Sequence, residues 1–122
     1  MLNRHQAVSG FVLKAAAGEI SHDRYMRLIE NAVFSAEAFP QQNLLCDFRE
    51  AFFPRESMQL LLNIAVEMAK YRLVLTGRIA HVSSRDSLQI HLARMLANLL
   101  ALKGFDCRSF SVMEDAEAWL RK

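Results

Sequence analysis

One pattern constrains this chain more than any other: a short apolar run followed by a stretch with apolar residues at helical spacing, repeated four times. Gly10 to Ala17 reads as a first strand, with a start as early as Gln6 and a bulge at Ser9-Gly10. Gly18-Glu19 turns the chain, Ser21 suits an N-cap, and Asp23 suits the positive end of a helix dipole. Tyr25, Leu28, Ile29, Ala32 and Val33 then share one helical face, and a loop follows from Pro40 to Asn43. Leu44 to Phe48 reads as a strand buried on both sides. Pro54 suits the first position of a second helix, whose inner face is read as Met58, Leu61, Leu62, Ala65, Met68 and Ala69.

From Tyr71 to Gly77 the pattern fits either a helix end or a short extended piece. Arg78 to Ser83 is a third strand, and Ser83 or Ser84 is placed to cap a third helix with Asp86 in its first turn. Leu88, Leu92, Met95, Leu96, Leu99 and Leu102 form that helix's stripe, and Gly104 stands where a C′ glycine belongs. Phe105 to Phe110 is the last strand. Ser111 and Glu114 have capping-box spacing ahead of a short helix bearing Ala116, Trp119 and Leu120. Strictly alternating strands and helices call for right-handed crossovers. The expected fold is therefore α/β, β-α-β-α-β-α-β-α, with a four-stranded, mostly parallel sheet and four flanking helices. Helices two and three are expected to be the long ones, and the direction of the first strand stays open.

With 122 residues and 52% of them apolar, the chain suits a single domain, residues 1–122, with one proper core. Its formal charge is +2, and its basic residues are scattered rather than gathered in a stripe, which argues against nucleic acid as a partner. No apolar run approaches the ~20 residues of a membrane span, so stable membrane insertion is not expected. Met1 to Gly18 imitates a signal peptide, but Lys14 interrupts its apolar part. The segment is read as part of the fold of a cytoplasmic protein. Cys46 and Cys107 sit in separate apolar runs and are expected to be reduced and buried. No cofactor or metal is expected, since the four histidines and two cysteines lack ligand spacing.

Several local strings, in order, resemble the SpoIIAA-like or STAS-like domains, in particular small stand-alone bacterial members of unassigned function. They are Gly18-Glu19-Ile20-Ser21 before the first helix, Leu45-Cys46-Asp47-Phe48-Arg49 at a strand end, Arg78-Ile79-Ala80-His81-Val82, and Phe110 followed by Glu114 to Leu120. The likeness runs from about Val12 onward. It implies a regulatory or protein-interaction module rather than an enzyme. In the anti-sigma-factor antagonists of that family, the loop after the second strand carries a phosphorylated serine in an Asp-Ser-Ser-Gly context. Here the loop reads Phe52-Phe53-Pro54-Arg55-Glu56-Ser57-Met58, without that context, so Ser57 is read as an exposed serine in the first turns of a helix.

In open α/β sheets ligands bind outside the carboxyl ends of the strands. Asp47 and Arg49, then Ser83, Ser84 and Arg85, and Ser111 all fall at that edge. The serines and the free N–H groups of the third helix could hold an anion, although caps and local pairs account for the same residues. Of the adjacent Phe52 and Phe53, one at least is expected at the surface. The binding surface is thus read as Asp47, Arg49, Phe52, Phe53, Ser83, Ser84 and Arg85, facing a protein partner or a second copy. A small-molecule or lipid carrier is the alternative. A further alternative is an enzyme in which His81 acts as base against Asp47, with Arg49 beside them.

Overall fold

The computed structural model describes residues 11–38 and 42–122. Four strands, β1 (Phe11–Glu19), β2 (Asn43–Phe52), β3 (Arg78–Ser83) and β4 (Asp106–Phe110), form one sheet in sequential order, every pair parallel. The first strand is therefore parallel too. They alternate with α1 (His22–Ala38), α2 (Met58–Met68), α3 (Ser87–Leu102) and α4 (Met113–Leu120), and a 3₁₀ turn at Ala69–Tyr71 extends α2. This is the expected α/β order. The long helices, however, are α1 with 17 residues and α3 with 16, while α2 has 11. The bulge expected at Ser9-Gly10 and most of the Pro40 loop lie outside the described residues. Among the described residues no helix is long and apolar enough to cross a membrane.

Right-handed crossovers that always step the same way across a sheet leave every connecting helix on one face. Accordingly α1, α2 and α3 pack together on one side, around Leu44, Cys46, Phe48, Ile79 and Cys107. After β4 there is no further strand to reach, and α4 folds onto the opposite face, over Leu45, Ala80 and Val82. Trp119 packs on that opposite face of the sheet. Its ring centroid is 5.7 Å from that of Phe110, and the guanidinium groups of Arg78 and Arg108 lie 5.3 and 5.2 Å from the indole. Asn43, expected in a loop, opens β2 and ties α4 down. Its Nδ2 donates to the Leu120 carbonyl at 2.7 Å, and its Oδ1 accepts from the Arg78 N–H at 2.8 Å.

Most helix ends follow local chemistry. Ser21 caps α1, its Oγ accepting from the Arg24 N–H at 3.1 Å. Gly104, at φ +99°, ends α3 with Phe105 N–H bonded to Leu100 O and Gly104 N–H to Ala101 O. Three starts differ from expectation. Asp86 rather than Ser83 or Ser84 caps α3, its carboxylate accepting from Gln89 N–H at 3.1 Å. An ionised oxygen at the positive end of the dipole holds the cap more firmly than a hydroxyl. Helix α2 begins at Met58, not Pro54, and α4 begins after Val112 with no side-chain cap from Ser111. β1 also continues through Gly18-Glu19, so the turn comes one step later.

Strand β2 carries one irregularity that positions the site. Ala15 pairs with Asp47 and Ala17 with Glu50, so Phe48 and Arg49 together face the single Ala16. This is a β-bulge. Leu44, Cys46 and Phe48 face the three-helix layer at spacing two; past the bulge, Ala51 and Phe53 face it instead.

Candidate functional site

The carboxyl ends of β2, β3 and β4 and the start of α4 enclose an open recess of about 290 Å³. Arg49, Ser83, Ser84, Arg85, Ser111, Val112, Met113 and Glu114 line it. Five residues that the sequence placed at this edge, Arg49, Ser83, Ser84, Arg85 and Ser111, thus meet in space. Asp47 stands beside them as Arg49's partner. The Arg49 Nε and Nη2 atoms donate to the two Asp47 carboxylate oxygens at 2.9 Å each, and the Arg49 backbone N–H adds a third bond at 3.1 Å. These bonds hold the Asp47 carboxyl below its usual range. Ser83 is buried, and its hydroxyl donates to the Ser84 carbonyl at 3.0 Å.

The recess is balanced in charge: Arg49 and Arg85 stand against Asp47 and Glu114. Of the first-turn N–H groups of α3, expected to help hold an anion, that of Gln89 already serves the Asp86 carboxylate. Such a lining can bond to polar groups of either sign and favours neither strong anions nor apolar cargo.

Phe52 and Phe53 part company. Phe52 is 46% exposed and Phe53 only 3%. The Phe53 ring meets that of Phe48 edge-on at 6.1 Å. Its backbone is clamped by the buried Gln89 side chain, which accepts from Phe53 N–H at 2.7 Å and donates to Phe53 O at 3.0 Å. Phe53 is therefore a core residue and no part of a contact surface. Ser57 is buried rather than exposed, and its hydroxyl donates to the Pro54 carbonyl.

The proposed pairing of His81 with Asp47 is not assembled. Neighbouring residues in a strand point to opposite faces. His81 pairs in register with Cys46, on the three-helix side, whereas Asp47 pairs with Val82, whose side chain lies under α4. The sheet separates the two groups. His81 is fully buried against Tyr25 and Phe48, and burial pushes its pKa down to about 4. Cys46 and Cys107 are free and buried, as expected, and burial pushes the Cys46 thiol up to about 12. Among the described residues no group of three or more His, Cys, Asp or Glu side chains could hold a metal ion.

The least expected surface is on α2. Its sequence, Met-Gln-Leu-Leu-Leu-Asn-Ile-Ala-Val-Glu-Met, is apolar nearly all round. Leu61, Ile64, Ala65 and Met68 fill the core. Met58 and Leu62, read from spacing as inward, together with Val66, point out at 50%, 39% and 65% exposure. These three positions recur every four residues and so make a single ridge. An open groove of about 610 Å³ adjoins it between α2 and α3, lined by Met58, Leu88, His91 and Met95 among others. A second, of about 410 Å³, lies between α1 and the 3₁₀ turn, at Glu30, Val33, Phe34 and Tyr71. An amphipathic reading missed this face because too many positions of α2 are apolar to say which ones look inward. The surplus of apolar residues was itself the signal.

Comparison of the chain with protein-family models, with curated proteins and with solved structures finds no match.

Proposed function

We propose that this chain is a non-enzymatic regulatory or protein-interaction module of SpoIIAA-like or STAS-like type, acting in the cytoplasm without a cofactor. One observation carries the reading. Helix α2 has one polar stripe, Gln59-Asn63-Glu67, and is apolar elsewhere, yet its Met58-Leu62-Val66 ridge is left in solvent. Apolar side chains normally face inward from an amphipathic helix, and a contiguous exposed apolar patch on a small domain marks a contact site. The polar recess at Arg49, Ser83, Ser84 and Arg85 supplies a second, rim-like surface, and Phe52 is exposed on the strand that carries Arg49. Two buried free thiols suit a reducing compartment. Separation of His81 from Asp47 by the sheet speaks against the enzyme reading, and the open form of the grooves at α2 and α1 suits a contact surface better than a carrier.

The test is a substitution on the ridge. Leu62→Glu, with its fold checked by circular dichroism, is expected to lose association, whether with another protein captured from the native cell or with itself. Mass spectrometry of the same preparations would reveal a co-purified small molecule if the protein is a carrier. A folded Leu62→Glu protein that keeps its oligomeric state and every captured partner would remove the proposal.

A further inference from the structure

The reading of α2 as a contact surface leaves its occupant open, and the inference here rests on that reading. We propose that the occupant is a second copy of this chain, docked by a two-fold axis with α2 antiparallel to its counterpart. Shape is the first argument. A ridge beside a groove is self-complementary when a two-fold axis seats each ridge in the groove beside the other, the common packing of i, i+4 ridges. Helices α2 and α3 both return against the parallel strands and so run alongside each other. On α3, Leu88, His91, Met95, Leu99 and Leu102 fall within one narrow arc, and Leu102 at the far end is 82% exposed. Antiparallel docking centred between Leu62 and Val66 carries this leucine over the other copy's groove at Met58, Leu88 and Met95. Knob and hole are then supplied by the same chain, twice.

Charge is the second argument. Arg55 and Glu56 lie just before α2, and Glu67 and Lys70, 3.3 Å apart, lie at its other end. Each end carries charge of both signs, and at the far end Glu67 also lies 2.8 Å from His22, with Arg72 exposed beyond it. Antiparallel approach brings each end against the opposite one, where Glu56 can meet Lys70 of the second copy and Arg55 can meet Glu67. Parallel approach would set Arg55 on Arg55 and Lys70 on Lys70. The helix dipoles favour the same antiparallel choice. Between the ends, Gln59 Nε2 donates to Asn63 Oδ1 at 2.9 Å, so the polar side chains bordering the ridge bond to each other.

Sedimentation velocity on the purified full chain over a wide concentration range tests the proposal. A concentration-dependent dimer is expected, and Leu62→Glu and Leu102→Glu should each shift it to folded monomer. Glu56→Lys should weaken the dimer at low salt, and adding Lys70→Glu should restore it, because the pairing is reciprocal. A dimer indifferent to Leu62→Glu, or a charge reversal that is not rescued, overturns the arrangement. A wild-type monomer at every concentration overturns the second copy as occupant. If that monomer still captures a cellular protein through Leu62, the interaction-module reading survives; if capture does not depend on Leu62, both fall.

Discussion

The Tyr25 hydroxyl lies 2.9 Å from Nε2 of His81, joining α1 to β3 through a hydrogen bond wholly inside the core. The other ring nitrogen of His81, Nδ1, is buried with no hydrogen-bond partner among the described residues. The imidazole is therefore kept in place by one polar contact and by the rings of Tyr25 and Phe48, whose centroids lie 5.8 and 5.5 Å away. Removing the hydroxyl strands the second nitrogen as well. Tyr25→Phe should cost about 1–3 kcal/mol in urea titration. The double variant Tyr25→Phe/His81→Leu should recover much of that loss, since replacing both partners removes the buried polar groups together. Equal losses in the single and double variants would show that the contact contributes nothing.

Stability should fall in mild acid because of the same histidine. Its pKa drops from an ordinary 6.5 to about 4 on burial. Between those values the unfolded chain binds a proton that the folded protein does not, so stability rises with pH across that window and is flat for this group above it. The loss from pH 6.5 down to pH 4 is about 3 kcal/mol. Urea midpoints measured across this range should slope less steeply in the Tyr25→Phe/His81→Leu variant. Parallel slopes would mean that His81 is not the group responsible.

Trp119→Ala should cost about 3–5 kcal/mol, as expected for deleting a buried aromatic. The ring is buried with Phe110 and lies against two arginines, and α4 is the sole helix on its side of the sheet among the described residues. A loss below about 1 kcal/mol in denaturant would show that α4 docks independently of this residue.

The adjacent phenylalanines should respond oppositely to charge. Phe52→Asp should stay within about 0.5 kcal/mol of the parent, because its ring is half in solvent. Phe53→Asp would bury a carboxylate against Phe48 and should lose more than about 4 kcal/mol, enough to threaten folding. Thermal melts of the pair decide the matter, and similar midpoints would contradict the assignment of inner and outer ring.

What the sequence determined by itself was whatever depends on neighbours a few residues away. The strand-helix alternation, the Ser21 cap and the Gly104 end are fixed by local periodicity and by backbone groups within one turn. Five residues of the recess, Arg49, Ser83, Ser84, Arg85 and Ser111, were also legible, since strand ends in a parallel sheet share one edge. Competition between nearby caps was less so: Asp86, Ser83 and Ser84 lie within four residues of one another, and docking of the α3 start through Gln89 onto Phe53 accompanies the choice of Asp86.

Facing was decided only in three dimensions. Continuing the spacing of Leu44, Cys46 and Phe48 would have sent Phe52 inward, and the bulge opposite Ala16 turned Phe53 in instead. His81 and Asp47 are natural partners by residue type, yet pairing register sets them on opposite sides of the sheet. Met58 and Leu62 match the core in character but look outward, because α2 carries more apolar positions than the layer beneath it can cover. Each of these outcomes depends on contacts between segments far apart in the chain. A residue's hydrophobicity says that it favours burial; which residues win the limited buried area is settled only when sheet, bulge and helices pack together.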